Sequence, residues 1–355
     1  MNDSRERTEQ AAPIGVAIIG AGYWGPNLLR NFMKNPGADV RWMCDLDAER
    51  ASTVIGRYSR IAITTEYDAV LADPDVEAVV IATPAASHAP LAVAAMEAGK
   101  HVMVEKPLAT SVADGRKMVE VAAEHGVSLM CDHTYCYTPA VQEIRRLVVD
   151  GSIGSVQYID SVRINLGLIR PDSDVIWDLA PHDLSILDFV LPEGLRPTRL
   201  AASGVDPVGA GHACIGYLTM PLGERGLAHL HVNWLSPTKV RTMIIGGSEK
   251  MIVWDDLQPA QRLSVYDTGV DLSVQDDDPD RQRELRIGYR SGEIVAPALP
   301  ETEALGSAVA EFLASINEGR SAATDGNAGL RVLAALEAAR FSLSGGGVMT
   351  PIYNF

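Results

Sequence analysis

The chain has 355 residues, enough for two domains of ordinary size, and 47% of them are hydrophobic, enough to bury full cores. Its formal net charge of −16 leaves no basic surplus to neutralise phosphates, which excludes nucleic acid as an expected partner. No apolar run reaches the roughly 18–20 residues that span a bilayer, so no membrane association is expected.

The first residues, Met1 to Ala12, are polar and mixed in charge. They lack the apolar stretch of a secretory signal, and residues 1–13 read as a disordered lead. The four cysteines, Cys44, Cys131, Cys136 and Cys214, form no CxxC pair, so neither a metal site nor a disulfide framework is expected. A reducing cytoplasm fits that usage.

An apolar run, Ile14 to Ile19, reads as a buried strand. Behind it lies Gly20-Ala21-Gly22-Tyr23-Trp24-Gly25, and a helical pattern starts at Asn27. A second run, Val40 to Cys44, ends at Asp45. This is the layout of a dinucleotide site. The first glycine permits the tight turn, the second lets backbone approach a pyrophosphate, and the third lets the helix pack close to the strand. The helix start offers its N–H groups to phosphates. Tyr23 and Trp24 are placed to touch the pyrophosphate or wall the pocket. Asp45 can accept from the ribose hydroxyls and would repel a 2′-phosphate. NAD is therefore expected over NADP, with Arg50 close enough to soften the preference.

Further strands are predicted over Ala78–Ala82, His101–Val104 and Ser128–Cys131, with helices between them, for example over Pro90–Ala98 and Val112–His125. Alternation of this kind predicts a parallel, doubly wound sheet over residues 14–131. Thr83 and Pro84 follow one strand and can contact the cofactor; His88, just beyond, can line the site or be structural. Glu105-Lys106-Pro107 follows another, where ligands of an open α/β sheet sit, so Glu105 and Lys106 are expected to contact the cofactor, and Lys106 can reach both the nicotinamide edge and a bound alcohol.

After about Asp132 the pattern changes. A helix over Pro139 to Val149 leads to strand-like runs at Val156–Ile164, Ala213–Met220, Gly226–Leu235, Val240–Gly246 and Met251–Trp254. Residues 132–355 thus read as an α+β domain with a large, mainly antiparallel sheet, the candidate substrate domain. Asp267 to Pro300 reads as a long loop or lid, followed by helices over Thr302–Asn317 and Gly326–Ser344. In Trp177-Asp178-Leu179-Ala180-Pro181-His182-Asp183, the carboxylate and imidazole of Asp178 and His182 are four apart and share a face if the first turn is helical. Pro181 is tolerable in such a turn, with Asp178 or Asp183 as its cap. The pair suits a general base. Arg163 and Asn165 share a strand face and could bind a substrate anion or hydroxyls, and Tyr135 could line a sugar site.

Together, Gly20 to Asn27, Ala82-Thr83-Pro84 with His88, Ala98 to Val102, Glu105-Lys106-Pro107, Asp150 to Gly154, and Asp178 with His182 resemble the glucose-fructose oxidoreductase / inositol dehydrogenase / MocA (Gfo/Idh/MocA) family. The resemblance implies a Rossmann domain and a sheet domain that assembles homodimers or homotetramers. It also implies a lysine and a histidine flanking the reacting carbinol, with the aspartate paired to the histidine. Gly22 to Asn27, Arg163 to Gly167 and Trp177 to Asp183 are similar to its sugar 3-dehydrogenase branch, which includes UDP-N-acetylglucosaminuronate 3-dehydrogenases. The implied activity is NAD-dependent interconversion of a sugar ring hydroxyl, at C3, and its ketone, on a nucleotide-linked sugar or uronic acid. The rivals are an aminoglycoside or other amino-sugar glycoside as substrate, and a non-catalytic dinucleotide-binding regulator.

Overall fold

The computed structural model describes residues 12–56, 60–171, 173–274 and 285–352. The first half runs β1 (Ile14–Ile19), α1 (Gly25–Lys34), β2 (Ala38–Cys44), α2 (Ala48–Ile55), β3 (Ala62–Thr64), α3 (Tyr67–Ala72), β4 (Ala78–Ile81), α4 (His88–Glu97), β5 (His101–Glu105), α5 (Val112–His125) and β6 (Leu129–Asp132). Then come α6 (Pro139–Val149), β7 (Val156–Leu166), α7 (Val175–Val190), β8 (Arg199–Val205), β9 (Ile215–Leu222), β10 (Gly226–Asn233), β11 (Leu235–Gly247) and β12 (Met251–Asp255). The chain continues through β13 (Leu263–Val274), β14 (Leu285–Val295), α8 (Ala304–Glu318), α9 (Gly326–Ser344) and β15 (Thr350–Pro351). Among the described residues, no helix is long and apolar enough to cross a membrane.

The first compact unit holds the described residues up to Tyr137 together with Thr302–Leu330. Its six strands lie in the order β3-β2-β1-β4-β5-β6, all parallel. That is the doubly wound dinucleotide-binding order, whose switch point lies between β1 and β4. Every residue of β1 is buried, as a central strand covered on both faces requires. The helices start and stop where their caps dictate: the Ser111 hydroxyl accepts from Asp114 N ahead of α5, and Gly126, left-handed at φ 63°, ends it.

This unit corrects the expected boundaries, because it closes after Tyr137 rather than Cys131 and takes back a segment from far along the chain. Phe312 of α8 meets Phe32 of α1 edge-on at 6.4 Å, and Glu303 accepts from Arg30 and Asn31. Long-range packing of this kind leaves no mark on local periodicity.

The second unit holds Thr138–Glu301 and the described residues from Arg331 onward. Its nine strands run β14-β13-β12-β11-β7-β10-β9-β8-β15, antiparallel except for β7 beside β10. The expected fold class therefore stands for both sheets. The reading of Asp267 to Pro300 as a loop is corrected: β13 and β14 form an antiparallel pair, with residues 275–284 outside the described set. The charges that suggested a loop include a cross-strand pair, Arg290 Nε to Asp267 Oδ1 at 3.2 Å. β3 and β8 also escaped the sequence reading; β3 has only three residues, too few to show a period.

A buried ion pair ties α7 to the sheet. Arg163 on β7 donates from Nε and Nη2 to Asp183, at 2.9 to 3.2 Å, with both side chains almost fully enclosed. Breaking such a pair from one side leaves an uncompensated charge in the core. Asp183→Asn is expected to lower the unfolding free energy by about 3–5 kcal/mol, while the paired replacement Arg163→Met with Asp183→Leu costs far less. Denaturant unfolding of the three proteins measures this.

Candidate active site

The glycine turn is shaped by backbone crowding. Gly20 has φ +102°, and a Cβ there would lie 2.7 Å from the carbonyl oxygen of Ala82. A Cβ on Gly25, the first residue of α1, would lie 2.1 Å from Gly20 O. At Gly22 a Cβ would meet nothing within 4 Å. Two glycines thus serve the chain's own packing, and the middle one leaves open space in front of the helix start. Tyr23 is 90% exposed on this turn and stacks on Trp24 at 6.3 Å.

Asp45 follows β2 and fastens the strand end to that turn. Its Oδ2 accepts from Ala21 N at 2.6 Å, and its Oδ1 accepts from Asp47 N at 2.8 Å and Arg50 Nη2 at 2.6 Å. Burial pushes the carboxyl up, but Arg50 and the two backbone N–H groups outweigh it and hold Asp45 below the usual carboxylate range. An ionised acceptor beside an open, glycine-lined helix start that offers N–H donors is what a dinucleotide's ribose and phosphates require, so these residues fit the cofactor.

Thr83, Pro84 and His88 follow β4. His88 is fully buried, with Nδ1 2.8 Å from the Pro107 carbonyl and Nε2 2.9 Å from that of Thr83. Burial holds its proton affinity below the ordinary imidazole range, against the pull of those two carbonyls. It is a strut between the two strand-end segments, which corrects its expected place among the cofactor contacts. The Thr83 hydroxyl accepts from Ser87 Oγ at 2.7 Å; Thr83 is half-buried and Pro84 is exposed.

Lys106 is half-buried directly after β5, as the sequence places it, and its peptide to Pro107 is cis. Glu105 corrects its expected role: Oε2 accepts from Lys106 N at 3.2 Å, while the carboxyl faces Asp132, its register partner at the end of β6. Tyr135 is half-buried just beyond β6.

In the second unit, the helix carrying Asp178 and His182 begins earlier than expected. The cap is Asp174, whose side chain accepts from Trp177 N at 2.9 Å, and α7 runs from Val175. Neither Asp178 nor Asp183 is the cap. Pro181 consequently sits inside the helix, where it cannot donate to the Trp177 carbonyl one turn back. Asp178 and His182 do lie one turn apart on a single helix and are both half-buried. A residue missed in the sequence fixes the carboxylate: the Trp234 indole Nε1 donates to Asp178 Oδ2 at 3.1 Å. Only its place at the end of a predicted strand marked it.

Arg163 is 3% exposed and committed to Asp183, so it holds α7 instead of facing a substrate anion. An arginine on a strand reads as exposed until its partner, twenty residues away, is known. Asn165 stays half-buried on the same strand. No cluster that could hold a metal ion occurs among the described residues.

Residues 14–133 match the profile of the Gfo/Idh/MocA oxidoreductase family, NAD-binding Rossmann fold. These residues carry that family's NAD-binding domain. It is 29% identical to UDP-N-acetylglucosamine 3-dehydrogenase of Acidithiobacillus ferrooxidans over 90% of this chain and 93% of that one. A solved structure of that enzyme superposes with a TM-score of 0.77 at 26% identity, covering 94% of this chain and 98% of the other. The chain is also 37% identical to 2,7-anhydro-N-acetylneuraminate hydratase of Mediterraneibacter gnavus, over 56% of this chain and 54% of the relative. It spans about half the length of several of the curated relatives it matches.

The glycines separate packing from binding. Gly25→Ala is expected to cost about 1–3 kcal/mol of stability, as overpacking does. Gly22→Ala should leave stability within about 0.5 kcal/mol yet weaken NAD binding at least about tenfold. Thermal unfolding and NAD titration by calorimetry check both.

Proposed function

We propose that this protein is an NAD-dependent oxidoreductase interconverting a sugar ring hydroxyl, at C3, and its ketone, on a nucleotide-linked sugar or uronic acid. The observation that carries the reading is Asp178 held by Trp234 one helical turn before His182 on α7, in a chain that also places Lys106 at a Rossmann strand end. A relative of nearly matching length is named for a 3-dehydrogenase acting on a UDP-sugar, which supports the substrate class. The relative named as a hydratase means that the net reaction does not follow from sequence similarity alone.

Gly20, Gly22 and Gly25 with Tyr23, Trp24 and Asp45 would hold the dinucleotide, and Thr83 and Pro84 would flank it. When bound, NAD supplies the hydride acceptor. His182 takes the proton of the sugar hydroxyl, and Asp178 orients the imidazole and steadies the imidazolium. Trp234 keeps one oxygen of Asp178 in place while this happens. Lys106 hydrogen-bonds the alcohol oxygen and stabilises its negative charge as the proton leaves. Ketone reduction uses the same groups in reverse. Asn165 and Tyr135 are the remaining candidates for contacts with sugar hydroxyls.

Positioned acid–base groups are worth about 10²–10⁴-fold in rate. Lys106→Ala and His182→Ala are each expected to lower turnover at least about 100-fold while NAD binding persists. The assay is NADH absorbance across nucleotide uronates, UDP-sugars, free sugars, inositols and aminoglycosides. Near-normal turnover in both variants, or no turnover of any sugar by the unaltered protein, overturns the reading.

Asp45 sets the cofactor preference through charge, and Arg50 partly offsets it. NAD should exceed NADP in kcat/KM by at least about tenfold. Arg50→Ala should widen that ratio and Asp45→Ser should narrow it, as parallel kinetics with the two cofactors would show.

A further inference from the structure

Behind Lys106 lies a group of buried polar atoms that the proposed reaction does not use. Glu105 and Asp132 end adjacent parallel strands in direct register. Among the described residues, Glu105 Oε1 and Asp132 Oδ2 are enclosed and have no hydrogen-bond donor. Asp132 Oδ1 accepts from the Thr134 hydroxyl at 2.9 Å, and Glu105 Oε2 accepts from Lys106 N. The Trp24 indole N–H is turned toward Asp132 without closing a standard hydrogen bond.

Two facing carboxylates offer only acceptors to each other, so in a closed site they cannot both be ionised without a large penalty. A single proton between them satisfies both orphaned oxygens at once. We propose that Glu105 is the protonated acid, donating from Oε1 to the Asp132 carboxylate, and that this singly charged pair positions Lys106.

Burial raises the proton affinity of both acids. On Glu105 the neighbouring Asp132 adds to that rise and the Lys106 charge opposes it. On Asp132 the donors Thr134, Glu105 and Trp24 favour the ionised form, which leaves the proton on Glu105. Burial also favours the neutral forms of His133, Cys131 and Tyr137 around the pair. His133 is pushed down to about 3 by burial and the Lys106 charge. Burial raises the Cys131 thiol and the Tyr137 phenol. Cys136 is buried and forms no disulfide. The pair therefore supplies the negative charge next to the Lys106 ammonium. It also links the glycine turn, through Trp24, to the strand end that carries the lysine.

The proton does not depend on the function proposed above; its service to Lys106 does. Infrared difference spectroscopy of the unliganded protein reads the proton directly. At pH 7 a protonated-carboxyl C=O band is expected, lost in Glu105→Gln and in Asp132→Asn alike. Each single variant keeps one carboxylate and one donor, and so the same net charge. In the unaltered protein the pair's contribution to stability is full below the ordinary carboxylate range. It declines as pH rises, because the unfolded chain releases a proton that the folded one keeps. Either variant should flatten that decline. No band sensitive to either variant overturns the shared proton, whatever the activity.

The kinetic arm reads the role. The alkaline limb of the kcat/KM profile should stay in place in each single variant and move to lower pH by at least about one unit in Glu105→Gln with Asp132→Asn. A limb that moves as far in one single variant as in the double variant overturns the positioning role while leaving the proton intact.

Discussion

The dinucleotide-binding half depends on backbone meeting backbone without side chains in the way. α1 can start where it does only because Gly25 lets it approach the Gly20 carbonyl, at a place where a Cβ would intrude to 2.1 Å. Gly20 can turn only because its φ of +102° suits glycine. From that contact follow the aim of the helix start, the open space at Gly22, and the reach of Asp45 to Ala21 N. The fully buried β1 supplies the rigid floor on which the turn stands.

The second unit solves a different problem. It has to hold one helix still so that two polar residues on it keep their aim. Charge pairs do this: Arg163 on β7 grips Asp183 in the core, and the half-buried Arg331 on α9 grips Asp188 at 2.6 and 2.8 Å. Such pairs contribute little net stability compared with a well-packed apolar core, yet they are costly to break and fix orientation. Asp183 and Asp188 are spent on anchoring, which leaves Asp178 and His182 as the half-buried acid and imidazole of α7. The Trp234 indole then restrains Asp178 from the end of the neighbouring sheet's β10.

The two strand ends after β5 and β6 show how a Rossmann sheet can hide polar chemistry beneath its surface. His88 bridges the Thr83 and Pro107 carbonyls, and Glu105 Oε1 and Asp132 Oδ2 are enclosed with no hydrogen-bond partner among the described residues. Both arrangements brace the short segment that carries Lys106. Parallel strands in register make this possible, since they deliver their last residues side by side.

Local pattern alone was enough for the glycine turn, the acid after β2, the alternation that becomes a parallel sheet, the lysine after β5 and the four-residue spacing of Asp178 and His182. Each is a short-range signal: a period, a turn residue or a fixed offset along one element. Tertiary structure alone decided the partners. That Arg163 belongs to Asp183, that Glu105 faces Asp132, that Trp234 holds Asp178, and that α8 returns to the first unit are all contacts between distant segments. A residue's neighbours across a sheet or beneath a helix are set by how whole elements pack, and no local period encodes that. The same side chains could have faced solvent or ligand, and only burial beside a particular partner settled which.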